Sequence, residues 1–276
     1  MTASISSHYH RQLQSAQIIS TLKARYPEGP DLYQLAPVDQ LHIGGIKASV
    51  KLLKRLAELG GGNVLDIGSG LGGLMRLAQA EFDINLTGLD ITHPLNEINH
   101  ALSNLYNPDY QPNLITADAH QLPVRDQQYD VVLFQHSLLN MPDAAQVLRE
   151  CTRVLKPAGA ILMHEVIQGP QHADMAYPVP WARDAGHSHL RSQAMLEALI
   201  TEAGFAPIQL SDWSQDALDW RKRQSEKEKQ SHTKTQKPAV SPALILGPEF
   251  AQMGANVMKN LQSGAARVVE VVAHKQ

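Results

Sequence analysis

Apolar and polar positions along this chain follow two periods, and the periods take turns. Short runs rich in Val, Ile and Leu stand near 64–67, 85–90, 113–117, 129–135, 159–166 and 206–211. Their length and composition predict buried strands. Between them lie stretches that predict helices, at about 72–81, 93–105, 143–155 and 192–203. A longer amphipathic stretch, Gly44 to Leu59, sets Ile46, Val50, Leu53 and Ala57 on one face and Lys51, Lys54, Arg55 and Glu58 away from it. That pattern is a helix with one side buried, and Gly60-Gly61-Gly62 ends it. Arg267 to Ala273 is β-branched and reads as a last strand. Strands alternating with helices predict an α/β fold, a doubly wound Rossmann-like sheet with right-handed crossovers.

Two regions break the alternation. Residues 1–38 open with polar positions, then a helix from about His8 to Arg25 carrying Leu13, Gln17, Ile18 and Leu22, before Pro27, Gly29, Pro30 and Pro37 interrupt the pattern. Residues 212–262 hold a helix from Asp212 to Glu228 with Trp213, Leu218 and Trp220, then a polar basic stretch (Arg221-Lys222-Arg223, Lys227, Lys229, Lys234, Lys237) to Pro238, then a helix from Glu249 to Gln262. This segment interrupts the last two strands and is placed to be a lid. The chain is expected to be one domain: an N-terminal helical cap (1–43), a core (44–211), a helical lid insertion (212–262) and a final strand (263–276).

The chemistry begins at residues 64–73, where a strand runs into a glycine turn that opens a helix. Gly68, Gly70 and Gly72 allow a sharp bend and a close ligand approach, and the helix start offers unpaired N–H groups. Gly68, Gly70 and Gly73 also satisfy the dinucleotide spacing G-x-G-x-x-G. Acids at successive strand ends argue against a dinucleotide. Asp66 lies just before the turn, where a pyrophosphate would be repelled. Asp90 ends the next strand, placed to accept from both ribose hydroxyls, and Asp118 follows the third. The set suits an adenosine carrying a cationic sulfonium and an amino-acid head. Taken singly, the turn can be a tight connection and each acid a helix cap or loop residue.

Five segments, VLDIGSGLGG (64–73), LTGLDIT (86–92), ITADAHQLPV (115–124), DVVLFQHSLLNMPD (130–143) and VLKPAGAIL (154–162), resemble the class I S-adenosylmethionine-dependent methyltransferases in order and spacing. The resemblance runs from about Asp39 to Ser211. It implies a seven-stranded sheet whose last strand inserts antiparallel beside strand five. It also implies that S-adenosylmethionine is the cofactor and S-adenosylhomocysteine the product. By the same resemblance Gly68, Ser69 and Gly70 lie under the methionine portion, Asp66 beside them, Asp90 and Ile91 at the ribose, and Asp118 and Ala119 at the adenine. Ala158 departs from the family, which usually has glycine there; the turn joins a helix to a strand, so the change is read as minor.

Methyl transfer from a sulfonium is an in-line displacement that needs alignment and exclusion of water more than catalytic side chains. In the resembled family the loop after strand four faces the methyl group. Here it carries Gln135, a cofactor ligand, His136, a candidate base, and Asn140, a candidate acceptor ligand. The family often has an acid at the position of His136 and a histidine at that of Asn140, and a hydrogen-bonded loop histidine is the competing reading. After strand five come His164-Glu165 and a loop holding Trp181; Glu165 with Trp181 would suit a cationic amine, whereas Trp181 can instead be packing for the loop. His42 and Gly44 precede the amphipathic helix, in a segment that closes over the cofactor in similar enzymes; alternatively His42 only orients the helix. This string, with the Tyr177–Trp181 loop and the Gly247–Met253 segment, most resembles sarcosine/dimethylglycine and phosphoethanolamine N-methyltransferases. His187 and His189 lack a third ligand at metal spacing, so no metal is expected.

Composition narrows the partners. The 276-residue chain has a formal charge of −3, which supplies no basic field for nucleic acid or an anionic membrane. Its one cysteine, Cys151, excludes an internal disulfide and sits in an apolar-periodic helix. No signal-peptide core or membrane-length apolar run is evident, so a soluble, cytoplasmic protein is expected, as monomer or homodimer. The expectation is an enzyme transferring a methyl group to a small molecule, with an amine favoured. The alternatives are an RNA or protein methyltransferase using residues 221–237, a non-catalytic protein that keeps the fold, and an NAD(P) oxidoreductase.

Overall fold

The computed structural model describes residues 15–233 and 240–276. The start of the N-terminal helix, with Leu13, and Lys234, Lys237 and Pro238 of the basic stretch lie outside them. The strands are β1 (Val64–Ile67), β2 (Leu86–Asp90), β3 (Asn113–Thr116), β4 (Tyr129–Gln135), β5 (Leu155–Gln168), β6 (Phe205–Asp212) and β7 (Ala266–Lys275). They form one sheet in the order β3-β2-β1-β4-β5-β7-β6. β1 pairs parallel with both β2 and β4, whereas β7 runs antiparallel between β5 and β6. Strand order reverses beside β1, so a crevice opens beyond the carboxyl ends of β1 and β4, the usual ligand position in such sheets.

The helices are α1 (Ser15–Arg25), α2 (Leu32–Asp39), α3 (Gly45–Glu58), α4 (Gly73–Phe82), α5 (His93–Tyr106), α6 (Ala144–Val154), α7 (Gln193–Glu202), α8 (Ser214–Thr233), α9 (Ala243–Leu246) and α10 (Phe250–Ser263). Side-chain alternation along the strands splits the core. Leu65 and Ile67 join Phe134 and Ile161 in one cluster, while Val64 joins Leu133, Leu162 and Leu52 of α3 in the other. Cys151 is buried in the first.

Four expectations are corrected. The buried stripe of α3 is Ala48, Ser49, Leu52, Leu53 and Leu56, rotated from the predicted face; these fall at i+3, i+4, i+7, i+8 and i+11 from Gly45, which is itself buried at the helix start. Residues 32–39 form α2 despite Pro37, because Asp31 and Gln34 make reciprocal capping bonds and Pro37 removes only one late ladder bond. Arg221 is buried against α10, paired with Glu228, so the basic stretch does not begin as a solvated face. Ala158 holds φ +60°, the left-handed region that a glycine would occupy without strain. Its cost is about 1–2 kcal/mol, at an exposed position within β5 where the pairing with β4 shifts register.

Candidate active site

A cavity of about 650 Å³ lies at the carboxyl ends of the strands. Of the residues singled out in the sequence, it is lined by His42, Asp66, Gly68, Ser69, Gly70, Asp90, Ile91, Asp118, Ala119, Gln135, His136, Asn140 and Trp181. Residues drawn from 140 positions of chain thus meet in one place, because each follows a strand end or a segment folded over one.

The glycine turn has two functions, and the sequence suggests only one. Gly70 (φ +53°) faces open space: the nearest atom to a Cβ there would be 4.0 Å away. Gly68 is different. A Cβ on it would lie 2.4 Å from the Cβ of Ser137, so this glycine admits the loop after β4 rather than a ligand. Ser137 Oγ donates to the Ile67 carbonyl at 2.5 Å, tying the two loops together.

Asp90 is buried and accepts from the Gly70 N–H (3.1 Å) and the Thr92 N–H (2.8 Å), one on each oxygen. Burial raises its carboxyl above the ordinary range, against the pull of those two N–H groups. Asp66 is 2 % exposed and makes no hydrogen bond among the described residues. Burial, and then the charge of Asp90, push its carboxyl up to about 7. Asp118 is the opposite case: desolvation would raise it, but the His120 N–H at 2.9 Å and the His120 ring hold it below the ordinary range.

Three histidines meet beside the cavity, His42 and His136 on its wall and His164 on the wall of a second, smaller one. The ring of His136 lies 4.7 Å from that of His164 and 5.9 Å from that of His42. Desolvation by burial lowers all three; His42 falls to about 4, while His136 and His164 fall well below their ordinary value. They are therefore neutral at pH 7. His42 is fixed by the Gly45 carbonyl, 3.1 Å from its Nε2, and stands in a network with Ser49, Gln40 and Gln135. It both orients the start of α3 and lines the cavity. Asn140 Nδ2 donates to the His136 carbonyl at 3.4 Å. Trp181 lines the cavity with its indole N–H buried and without a partner.

Two candidates lie elsewhere. Glu165 is outside the cavity lining: its Oε1 accepts from the Ser137 and Leu138 N–H groups at 2.9 and 2.8 Å beneath the loop, while its Oε2 is buried without a partner. Gly44 is at the start of α3 with φ +98°, where a Cβ would lie 2.5 Å from that of Ala48. It borders a separate cavity of about 240 Å³ with Trp213 and Trp220. Its role is to turn the chain, which the left-handed backbone requires.

Sequence reasoning missed Asp39, Ile245 and Leu246, which also line the main cavity. Asp39 pairs with the fully buried Arg76 at 2.8 Å, pinning the end of α2 over the glycine turn. Ile245 and Leu246 arrive from α9, and the apolar run Ala243-Leu-Ile-Leu246 inside a polar segment was their available signal. Among the described residues, no three His, Cys, Asp or Glu side chains are grouped to hold a metal, and no helix is long and apolar enough to cross a membrane.

The buried polar groups test the cofactor. Two carboxylates held up by burial face the cavity, and the Ser69 hydroxyl is buried with no partner. A ligand offering cationic and hydroxyl groups satisfies them, whereas a pyrophosphate adds charge of the same sign. A doubly wound sheet with an antiparallel seventh strand and such a crevice defines the class I S-adenosylmethionine-dependent methyltransferase fold. Residues 65–163 match the family described as "Methyltransferase domain", and the cofactor is S-adenosylmethionine.

The chain is 32% identical over 178 residues to the 27-O-demethylrifamycin SV methyltransferase of Amycolatopsis mediterranei, covering 61% of this chain and 64% of that protein. It is 27% identical over 155 residues to the glycine/sarcosine/dimethylglycine N-methyltransferase of Actinopolyspora halophila, covering 55% of this chain and 27% of that one. Its fold superposes on Haemonchus contortus phosphoethanolamine N-methyltransferase 2, solved with phosphomonomethylethanolamine and S-adenosylhomocysteine, with a TM-score of 0.71, 18% identity and coverage of 99% and 60%.

Asp66 gives cofactor binding a pH dependence. Its pKa in the folded protein, about 7, is above the ordinary 3.8. The stability this confers is full below 3.8 and lost as pH rises through about 7, where the buried charge is left without a partner. A cationic ligand group offsets that charge. S-adenosylmethionine affinity is therefore expected to tighten by up to about tenfold between pH 6 and 8 and to flatten above. Calorimetry at pH 6, 7 and 8 checks this, and Asp66→Asn should abolish the slope. A slope unchanged in the variant would assign it to another group.

Proposed function

We propose that this chain transfers a methyl group to a hydroxyl of a small, largely apolar molecule, with His136 accepting the hydroxyl proton. The observation that carries this reading is the make-up of the cavity wall, which holds a neutral histidine, His136, with Leu139, Asn140, Trp181, Ile245 and Leu246. The amine expectation rested on the resemblance to N-methyltransferases and on Glu165 beside Trp181, and one oxygen of Glu165 is engaged beneath the loop. Asp143, at the cavity margin, caps α6 through the Gln146 N–H at 3.0 Å. A cationic amine would find an aromatic face there, but Glu165 does not line the cavity beside it.

S-adenosylmethionine supplies a methyl carbon on a positively charged sulfur. The residues of this chain align and protect the transfer. Asp66 and Asp90 hold the cationic and hydroxyl groups of the cofactor. Leu139, Ile245 and Leu246 keep water from the acceptor. Helix α8 and residues 240–262 act as the lid, and residues 15–43 as the cap. The acceptor oxygen bonds to the methyl carbon as the carbon–sulfur bond breaks, and His136 holds the released proton. Because burial keeps His136 neutral, it is in the accepting form throughout the physiological range.

The support from relatives is mixed in atom type: one is named for O-methylation of a rifamycin and another for N-methylation of glycine and its derivatives. The test is incubation with methyl-labelled S-adenosylmethionine and a matched panel of phenols, alcohols and amines, with S-adenosylhomocysteine and the labelled position read by mass spectrometry. Label on oxygen supports the reading. Turnover with amines alone, or with RNA or protein alone, overturns it.

A further inference from the structure

Two side chains outside the cavity hold the loop that presents His136. Glu165, from β5, accepts two successive N–H groups, those of Ser137 and Leu138, on one oxygen. Arg191, from the segment before α7, donates to three carbonyls of the same loop: Leu138 at 3.2 Å, Met141, and Pro142 at 3.3 Å. Arg191 is itself tied to β5, where the Gln168 N–H meets its carbonyl at 2.9 Å. One acid and one base thus grip five backbone groups within residues 137–142; burial pushes the Glu165 carboxyl up to about 7, and the N–H groups it holds and the Arg191 charge offset this only in part. The gripped segment begins at His136, which holds φ +53°, a left-handed conformation unfavourable for histidine. Such backbone persists only where its surroundings over-determine it. Other bonds add to the restraint: His136 N–H donates to the His164 carbonyl at 2.8 Å, and Ser137 packs against the Cβ-free side of Gly68.

We infer that Glu165 and Arg191 are positioning residues that lock the loop after β4 and keep the His136 ring in its buried, neutral pose against the cavity. The inference rests on His136 being the functional end of that loop, which is the reading proposed above. With the clamp removed, the strained residue relaxes, water reaches its ring, and its pKa climbs back toward the ordinary histidine value of about 6.5.

The groups facing the ring are named by the geometry: His164 from β5, His42 before α3 and, behind His164, Trp213 with Lys51 above it. The cationic Lys51 and the neutral histidines stay in place in the variants, so a shift reports the loop and not its neighbours.

The experiment compares Glu165→Gln, Glu165→Leu, Arg191→Lys and Arg191→Met in the full chain. Histidine-ring NMR titration, with the His136 signal assigned from His136→Gln, reads the ring without any turnover. In the leucine and methionine variants its pKa should rise by at least one unit, and kcat should fall about tenfold or more with the S-adenosylmethionine Kd within twofold. Glu165→Gln keeps an oxygen for the two N–H groups and should stay near the parent in both readouts; Arg191→Lys should fall between. An unshifted His136 titration in folded Glu165→Leu and Arg191→Met overturns the clamp, as does a loss of activity that follows thermal stability or cofactor affinity alone. A shifted titration with unchanged kcat upholds the clamp and instead overturns His136 as the base, so the two failures are separable.

Discussion

Alanine at Asp90 is expected to weaken S-adenosylmethionine binding by about 100-fold or more. Asp90 lies at the carboxyl end of β2, buried, and faces the cavity. A buried carboxylate accepting from two ribose hydroxyls contributes roughly 1.5–3 kcal/mol per charged hydrogen bond, and two such bonds account for the loss. The same residue holds the Gly70 and Thr92 N–H groups, so alanine also loosens the turn. Asp90→Asn separates these effects, because its amide oxygen still accepts from one N–H group. Calorimetry with S-adenosylhomocysteine as a second ligand reads both variants. Asp90→Ala binding within threefold of the parent would remove Asp90 from the cofactor site.

The second large effect is expected at His136. Replacement by glutamine should lower kcat by about 100-fold or more, the scale of a lost general base, while cofactor affinity stays within twofold. Single-turnover rates with a saturating hydroxyl acceptor are the measurement. An acceptor that loses no proton before the transition state would show no such loss, and an unchanged rate would therefore take the base role away from His136. His42 stands 5.9 Å from it, neutral and also on the cavity wall, and His42→Gln is the paired control.

The acids at the strand ends were legible because strand period and turn chemistry are local. Asp66, Asp90 and Asp118 each close an apolar run, and parallel strands in a doubly wound sheet place such positions at one edge. The same logic found Gln135, His136 and Asn140. Glu165 was misread because it too ends an apolar run. Whether its carboxylate enters the cavity or turns beneath the neighbouring loop depends on the N–H groups of Ser137 and Leu138, 28 and 27 positions away. Gly68 was read as room for a ligand, whereas its missing Cβ accommodates Ser137. Nothing local distinguishes the two uses of a left-handed glycine. Arg191 gave no signal, since a lone arginine before a helix reads as a surface charge until the carbonyls it serves are known.

By itself, the sequence determined the alternating elements, the glycine turn and the order of the acids, while the class of domain came from the resemblance of five segments to a known family. The first three follow from side-chain periodicity and backbone freedom, which act over a few residues. Tertiary structure alone decided which side chains face the cavity and which are consumed in holding it. It brought His42 and His164 beside His136 and lowered all three by burial, and it set α9 on the cavity wall. Desolvation and hydrogen-bond satisfaction depend on what packs around a group, and those neighbours come from anywhere in the chain.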